Sequence, residues 1–215
     1  MTVPSRHRSP FKFLDAYERK DRAVFFGREA EIENLFELVR LSKLVLVYGL
    51  SGTGKTSLIR CGLANKFSEN QWQPVFVRRG NHLVDSIYTS LSEVLGEPID
   101  RSLPLPDAIG TLYQRSFVPI YLIFDQFEEL FVLGSETEQK NFFKILSELF
   151  HSKIACRTII IFREEYLAWF DDFEKNLPVL LNNRFRVERM GQAQLEQVVG
   201  GTISAPVYED RKSVV

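Results

Sequence analysis

Gly49, Leu50, Ser51, Gly52, Thr53, Gly54, Lys55 and Thr56 succeed one another in a spacing suited to gripping phosphate oxygens. Glycines at 49, 52 and 54 let the backbone bend so that successive N–H groups converge on one anion, and a helix starting just after them adds its own N-terminal donors. Lys55 then offers charge to β and γ phosphates. The Thr56 hydroxyl is placed to ligate Mg²⁺, with Ser57 a weaker second candidate. This is the Walker A pattern, and it has chemical meaning only where a strand runs into it and a helix leaves it.

The other half of such a site is an acid at the carboxyl end of a second buried strand, where ligands of open α/β sheets collect. Asp125 fits, following Ile120, Tyr121, Leu122, Ile123 and Phe124, and it would hold Mg²⁺ directly or through a water. Hydrolysis also needs a group that orients a water or takes its proton. Glu128 is the first candidate and Glu129 the second, although two acids there would equally suit the first turn of a helix through its dipole. Arg163 ends another apolar run, on the sheet edge that carries Asp125, where its guanidinium could sense a γ-phosphate with two N–H groups. Its alternative is a surface salt bridge with Glu164 or Glu165. Arg78 and Arg79 close a further run and Arg184 and Arg186 flank Phe185, so arginines able to act on a neighbouring molecule's site are present, and nothing in the sequence selects one.

The elements that must position these groups are legible as apolar patterns. Residues 43–48, 74–78, 119–124, 158–162 and 185–188 are short runs rich in Val, Ile, Phe and Tyr without polar alternation, which predicts strands covered on both faces. Segments of helical period fall at 28–40, 55–67, 81–95, 105–116, 137–151 and 192–199, after which Gly200, Gly201 and Pro206 break the pattern. The alternation predicts an α/β fold, a P-loop NTPase three-layer sandwich with a mostly parallel central sheet. Residues 1–10 read as a flexible lead-in, 11–206 as the core, with order beginning near Phe11, and 207–215 as a disordered tail.

Composition excludes several classes. Of 215 residues, 26% are charged and 45% apolar, a soluble globular balance. The 27 basic and 28 acidic side chains nearly cancel, so no global field draws the chain to nucleic acid. Cys61 and Cys156 match neither a disulfide framework nor a zinc site, and fit reduced thiols in a cytoplasm. The longest apolar runs, 44–48 and 117–124, fall short of the roughly 18 residues a membrane helix needs, and the start of the chain has no secretory apolar region.

Phe25, Phe26, Gly27, Arg28 and Glu29, the glycine-rich loop about twenty residues on, the run Asp125, Gln126, Phe127, Glu128, Glu129, Leu130, Phe131, and Arg163 together resemble the STAND ATPases, in particular the group called novel STAND NTPases. The resemblance extends from about Phe11 to Pro206. It implies ATP as the nucleotide, with Phe26, Gly27 and Arg28 packed beside the adenine. It also implies an ATP-driven switch of bacterial regulation, antiphage defence or programmed cell death that self-associates and answers to a sensor ligand through an effector. Consistent with ATP, no Asn-Lys-x-Asp or Thr-Lys-x-Asp segment follows Asp125 to read guanine. Two departures stand out. Many related ATPases carry glutamate directly after the aspartate, where Gln126 stands here, which points to slow hydrolysis. The winged-helix lid and sensor repeats are missing, so the chain reads as a core alone, with Pro206 where the lid segment would start. Two other functions share the phosphate cradle: a nucleic-acid-handling ATPase of the AAA+ type, whose initiator members have a similar Gly-Arg-Glu box, and a small-molecule kinase, for which no acceptor site is evident.

Overall fold

Strands with no polar alternation must be covered on both faces, and the five found here build one parallel sheet between two layers of helix. The structure is a computed structural model and describes residues 12, 15–175 and 177–205. The expected lead-in, Phe11, Pro206 and the expected tail lie outside the described residues. In chain order the helices are α1 (Glu29–Leu41), α2 (Lys55–Ser57), α3 (Leu83–Leu95), α4 (Leu105–Ser116), α5 (Glu128–Leu133), α6 (Glu136–His151), α7 (Asp171–Glu174) and α8 (Gln192–Ser204). The strands are β1 (Leu44–Gly49), β2 (Gln73–Val77), β3 (Ile120–Phe124), β4 (Cys156–Arg163) and β5 (Arg184–Arg186), in spatial order β2-β3-β4-β1-β5. Every pairing is parallel, so the sheet is wholly rather than mostly parallel.

Successive strand residues point to opposite faces. Leu44, Leu46, Leu122, Phe124, Ile160 and Phe162 meet α3, α4 and α6 in one core, and Val45, Val47, Ile123, Ile159 and Ile161 meet α1 and the helical run after the glycine-rich loop in the other. The first core is dense in phenylalanine. Phe127 is ringed by Phe124, Phe131, Phe142, Phe143 and Phe170, with centroids 5.1 to 6.2 Å away. Burying one such side chain stabilises the fold by about 1.5–3 kcal/mol, and here it also fixes the segment that leaves β3.

Two expectations are corrected. The helix expected over 55–67 is α-helical only through α2, then widens into a π-turn over Leu58–Gly62 and tightens into a 3₁₀ turn over Leu63–Lys66. The widened turn brings Gly62 against Ile32 of α1, where a Cβ would come within 2.7 Å of Ile32 Cγ1. The last helix does not stop at Gly200 and Gly201 but continues to Ser204. Gly201 serves contact instead, because a Cβ there would lie 2.7 Å from the Phe26 ring. The 3₁₀ turns Arg19–Val24 and Glu164–Phe170 were not foreseeable from periodicity.

Candidate functional site

Strand register assembles the site. β1 pairs with β4 so that Gly49 stands abreast of Arg163. β3 pairs with β4 on its other side, leaving Asp125 one residue beyond the last paired position, Phe124. The carboxyl ends of three adjacent strands therefore present the glycine-rich loop, Arg163 and Asp125 together. They border a cavity of about 580 Å³, lined among others by Ser51, Gly52, Gly54, Lys55, Thr56, Ser57, Arg78, Asp125, Gln126, Glu128 and Arg163.

The loop has the backbone its glycines permit. Gly52 and Gly54 adopt φ of +77° and +85°, a region costly to residues with a Cβ. At Gly49 the restriction is space, since a Cβ would collide with the Val187 carbonyl oxygen. Thr53 is buried and its hydroxyl donates to Leu50 O at 3.0 Å, bracing the turn. Lys55 folds over the loop and donates from Nζ to Gly49 O and Leu50 O, 2.8 Å each. Burial holds its pKa below the ordinary lysine value, with Glu128 pulling the other way.

Thr56 Oγ1 donates to Asp125 Oδ1 at 2.9 Å, so the two expected metal ligands touch. Asp125 is only 2% exposed, and its Oδ2 accepts from Arg78 Nη2 at 3.0 Å. Beyond Asp125 the chain turns sharply. Gln126 takes φ +58°, a left-handed conformation that a glutamine adopts only at a cost of about 1 kcal/mol. The turn sends Phe127 into the core and returns Glu128 to the cavity, where Glu128 Oε1 pairs with Arg163 Nε at 3.1 Å. Its other oxygen, Oε2, is buried with no hydrogen-bond partner. Glu129, one residue on, is half-buried and outside the cavity lining.

Other expected positions are used differently. Arg28 is 3% exposed and donates to Thr53 O and Glu188 O, both at 2.9 Å, and to Glu31 Oε1 at 2.7 Å. Its guanidinium is therefore committed to protein groups and braces the loop from behind. Gly27 O accepts from Gln194 at 2.9 Å, and Phe26 packs on Gly201; neither lines the cavity. Ser57 Oγ accepts from the Tyr17 N–H at 3.1 Å. Arg163 takes neither Glu164 nor Glu165; Glu164 pairs instead with Arg186, which also meets Glu188. Arg79 is buried on Glu138, at 3.0 and 2.8 Å, which removes it from the arginines free to act elsewhere. Arg78, left unassigned on sequence, belongs to the cavity. So do Lys12, Asp15, Ala16 and Tyr17, which line one side of it and carried no recognisable signal.

A hydroxyl beside a carboxylate, both hard oxygen donors, suits Mg²⁺ completed by phosphate and water oxygens. Among the described residues there is no group of three or more His, Cys, Asp or Glu side chains that could hold a metal ion.

A parallel α/β sheet with this loop and acid defines a P-loop ATPase fold. A family model, Novel STAND NTPase 1, matches residues 10–209, and the chain belongs to that family. Solved structures agree on the fold. A Walker-type ATPase of Pyrococcus abyssi superposes with a TM-score of 0.62 at 16% identity, covering 86% of this chain and 59% of its own. The ORC2 protein of Aeropyrum pernix, in its ADPNP–ADP complexes, gives 0.67 at 14%, covering 93% and 56%. The Trip13-containing HORMA:CdnC complex of Escherichia coli MS115-1 gives 0.57 at 14%, covering 89% and 73%. The chain thus spans a little over half the length of the first two. No curated protein matches it.

Proposed function

We propose that this chain binds ATP with Mg²⁺, hydrolyses it slowly, and serves as the nucleotide-dependent core of a STAND signalling switch. The observation that carries the reading is the convergence of Lys55, the Thr56–Asp125 pair and the Glu128–Arg163 pair around one cavity. ATP is favoured over GTP by the family resemblance and by the absence of a guanine-reading motif, and the similar Aeropyrum pernix protein was solved with ADPNP and ADP. In this reading Lys55 leaves the loop carbonyls for the β and γ phosphates, and Thr56 and Asp125 would hold Mg²⁺, which would supply charge neutralisation at the phosphate oxygens. Arg163 moves from Glu128 to the γ-phosphate. Glu128, freed, takes a proton from a water whose oxygen bonds to the γ-phosphorus as the bond to the β–γ bridging oxygen breaks, yielding ADP and phosphate. In a longer protein that carries sensor and effector segments, occupancy of this site would bias a closed monomer against an assembling oligomer.

The test is equilibrium binding of a fluorescent ATP analogue in Mg²⁺. Lys55→Ala is expected to lose at least about a hundredfold in affinity, because a charge-assisted contact in a partly dry site is removed. Equal binding by wild type and variant would refute the assignment.

A further inference from the structure

Two described cavity cations are left without a task by the reading above: Lys12, which is paired with Asp21, and Arg78. The position of Arg78 follows from pairing. Val77 is abreast of Phe124 in the β2–β3 register, and the Asp125 N–H donates to Val77 O at 2.9 Å, so Arg78 emerges beside Asp125. The next residue, Arg79, is tied into the buried ion pair with Glu138, which fixes the backbone from the opposite side. The Arg78 head is left 58% exposed at the cavity wall, with Asp125 Oδ2 as its partner. A guanidinium has five N–H donors; one bonds Asp125 Oδ2, and the exposed head borders the same cavity as Lys55 and Arg163.

We infer that Arg78 is a third cation of the phosphate subsite, one that discriminates nucleoside triphosphate from diphosphate. The inference rests on the nucleotide reading of the cavity and assigns a role inside it. Without a metal, Arg78 keeps the buried Asp125 carboxylate paired, which such a carboxylate requires. With a divalent cation held by Thr56 and Asp125, the Arg78 guanidinium would face like charge and would lose its hold on Asp125 Oδ2. The displaced head then turns to the nearest anion able to accept two N–H groups, and that anion is the terminal phosphate of a triphosphate. A diphosphate offers no group at that place.

The experiment compares binding of a non-hydrolysable ATP analogue and of ADP in saturating Mg²⁺ by wild type, Arg78→Gln and Arg78→Lys. Arg78→Gln is expected to weaken the triphosphate analogue roughly tenfold and ADP by less than about twofold, and Arg78→Lys to recover part of the loss by restoring charge without the fork. Nucleotide-free melting temperatures confirm that both variants fold; should Arg78→Gln not fold, Arg78→Lys alone must still lose selectivity for the triphosphate. Parallel losses for both nucleotides, or no loss for either, would overturn the inference while leaving the nucleotide site intact. Wild-type protein that binds neither nucleotide would overturn the nucleotide reading and this inference with it.

Discussion

Glu128 holds one oxygen on Arg163 and the other, Oε2, buried and unpaired beside the cavity. Oε2 has no hydrogen bond from a protein group, which leaves it available as an acceptor for water. Glu128→Gln is therefore expected to keep nucleotide affinity within about threefold while phosphate release falls at least about a hundredfold, as loss of a general base requires. Phosphate release unchanged in Glu128→Gln would move the role elsewhere, with Glu129→Gln as the comparison. At this scale much was readable from the chain. That Lys55, Thr56 and Asp125 come together at one cavity was legible, because each follows an apolar strand or the glycine-rich loop that ends one. The choice between Glu128 and Glu129 was not readable, because it depends on the left-handed turn at Gln126 that decides which carboxylate faces inward. Nor was the inward burial of Arg28, whose acceptors Thr53 O and Glu188 O lie 25 and 160 residues away and leave no local pattern.

Among the elements, Arg28 joins the start of α1, the glycine-rich loop and the chain just past β5 through one guanidinium. Removing it leaves the buried Thr53 carbonyl, the part-buried Glu188 carbonyl and Glu31 short of a partner. Glu31 is held below its ordinary pKa despite the opposing effect of burial, by hydrogen bonds from Arg28 and Gln194. Arg28→Ala is expected to destabilise the protein by about 3 kcal/mol in urea unfolding and to weaken nucleotide binding secondarily, through a looser loop. Arg28→Lys should recover little, since an ammonium cannot span three acceptors in one plane. A loss below about 1 kcal/mol in Arg28→Ala would show that the brace carries no load. The strands were legible because burial on both faces leaves unbroken apolar runs. The continuation of α8 through Gly200 and Gly201 was not, because glycine signals helix termination locally whereas Gly201 answers a distant ring, that of Phe26.

For the whole molecule, both faces of the sheet are sealed by apolar cores, and the buried charged side chains among the described residues, Arg28, Arg79, Asp125 and Glu128, each take part in an ion pair. The Arg79–Glu138 pair ties the end of β2 to α6. Burial acts to raise the Glu138 carboxyl, but hydrogen bonds from Arg79 and the Leu83 N–H, with the charges of Arg79 and His82, outweigh it and hold the pKa below the ordinary 4.5. A depressed folded-state pKa gives stability that is present above the unfolded value and lost as pH falls through the folded one. Urea stability is thus expected to drop below about pH 4.5, and Glu138→Gln to be less stable at pH 7 by about 3 kcal/mol and flatter in that acid range. An unchanged acid slope in Glu138→Gln would contradict this. Six of the helical segments, and their order, followed from the sequence, whereas the short α5 and α7 fell outside its periodic segments; the order of strands did not follow, since apolar runs carry no label for their neighbours. That order has a kinetic corollary. β4 lies between β1 and β3, so the loop at Gly49 and the acid at Asp125 become parts of one site only after a strand more than a hundred residues downstream of β1 has slid between their two strands. Such long-range insertion is slow and comes late in folding. A nucleotide that binds only the finished arrangement would trap it by mass action, adding about 2.7 kcal/mol at a hundred times its dissociation constant, and would act during synthesis as an inspector of strand insertion.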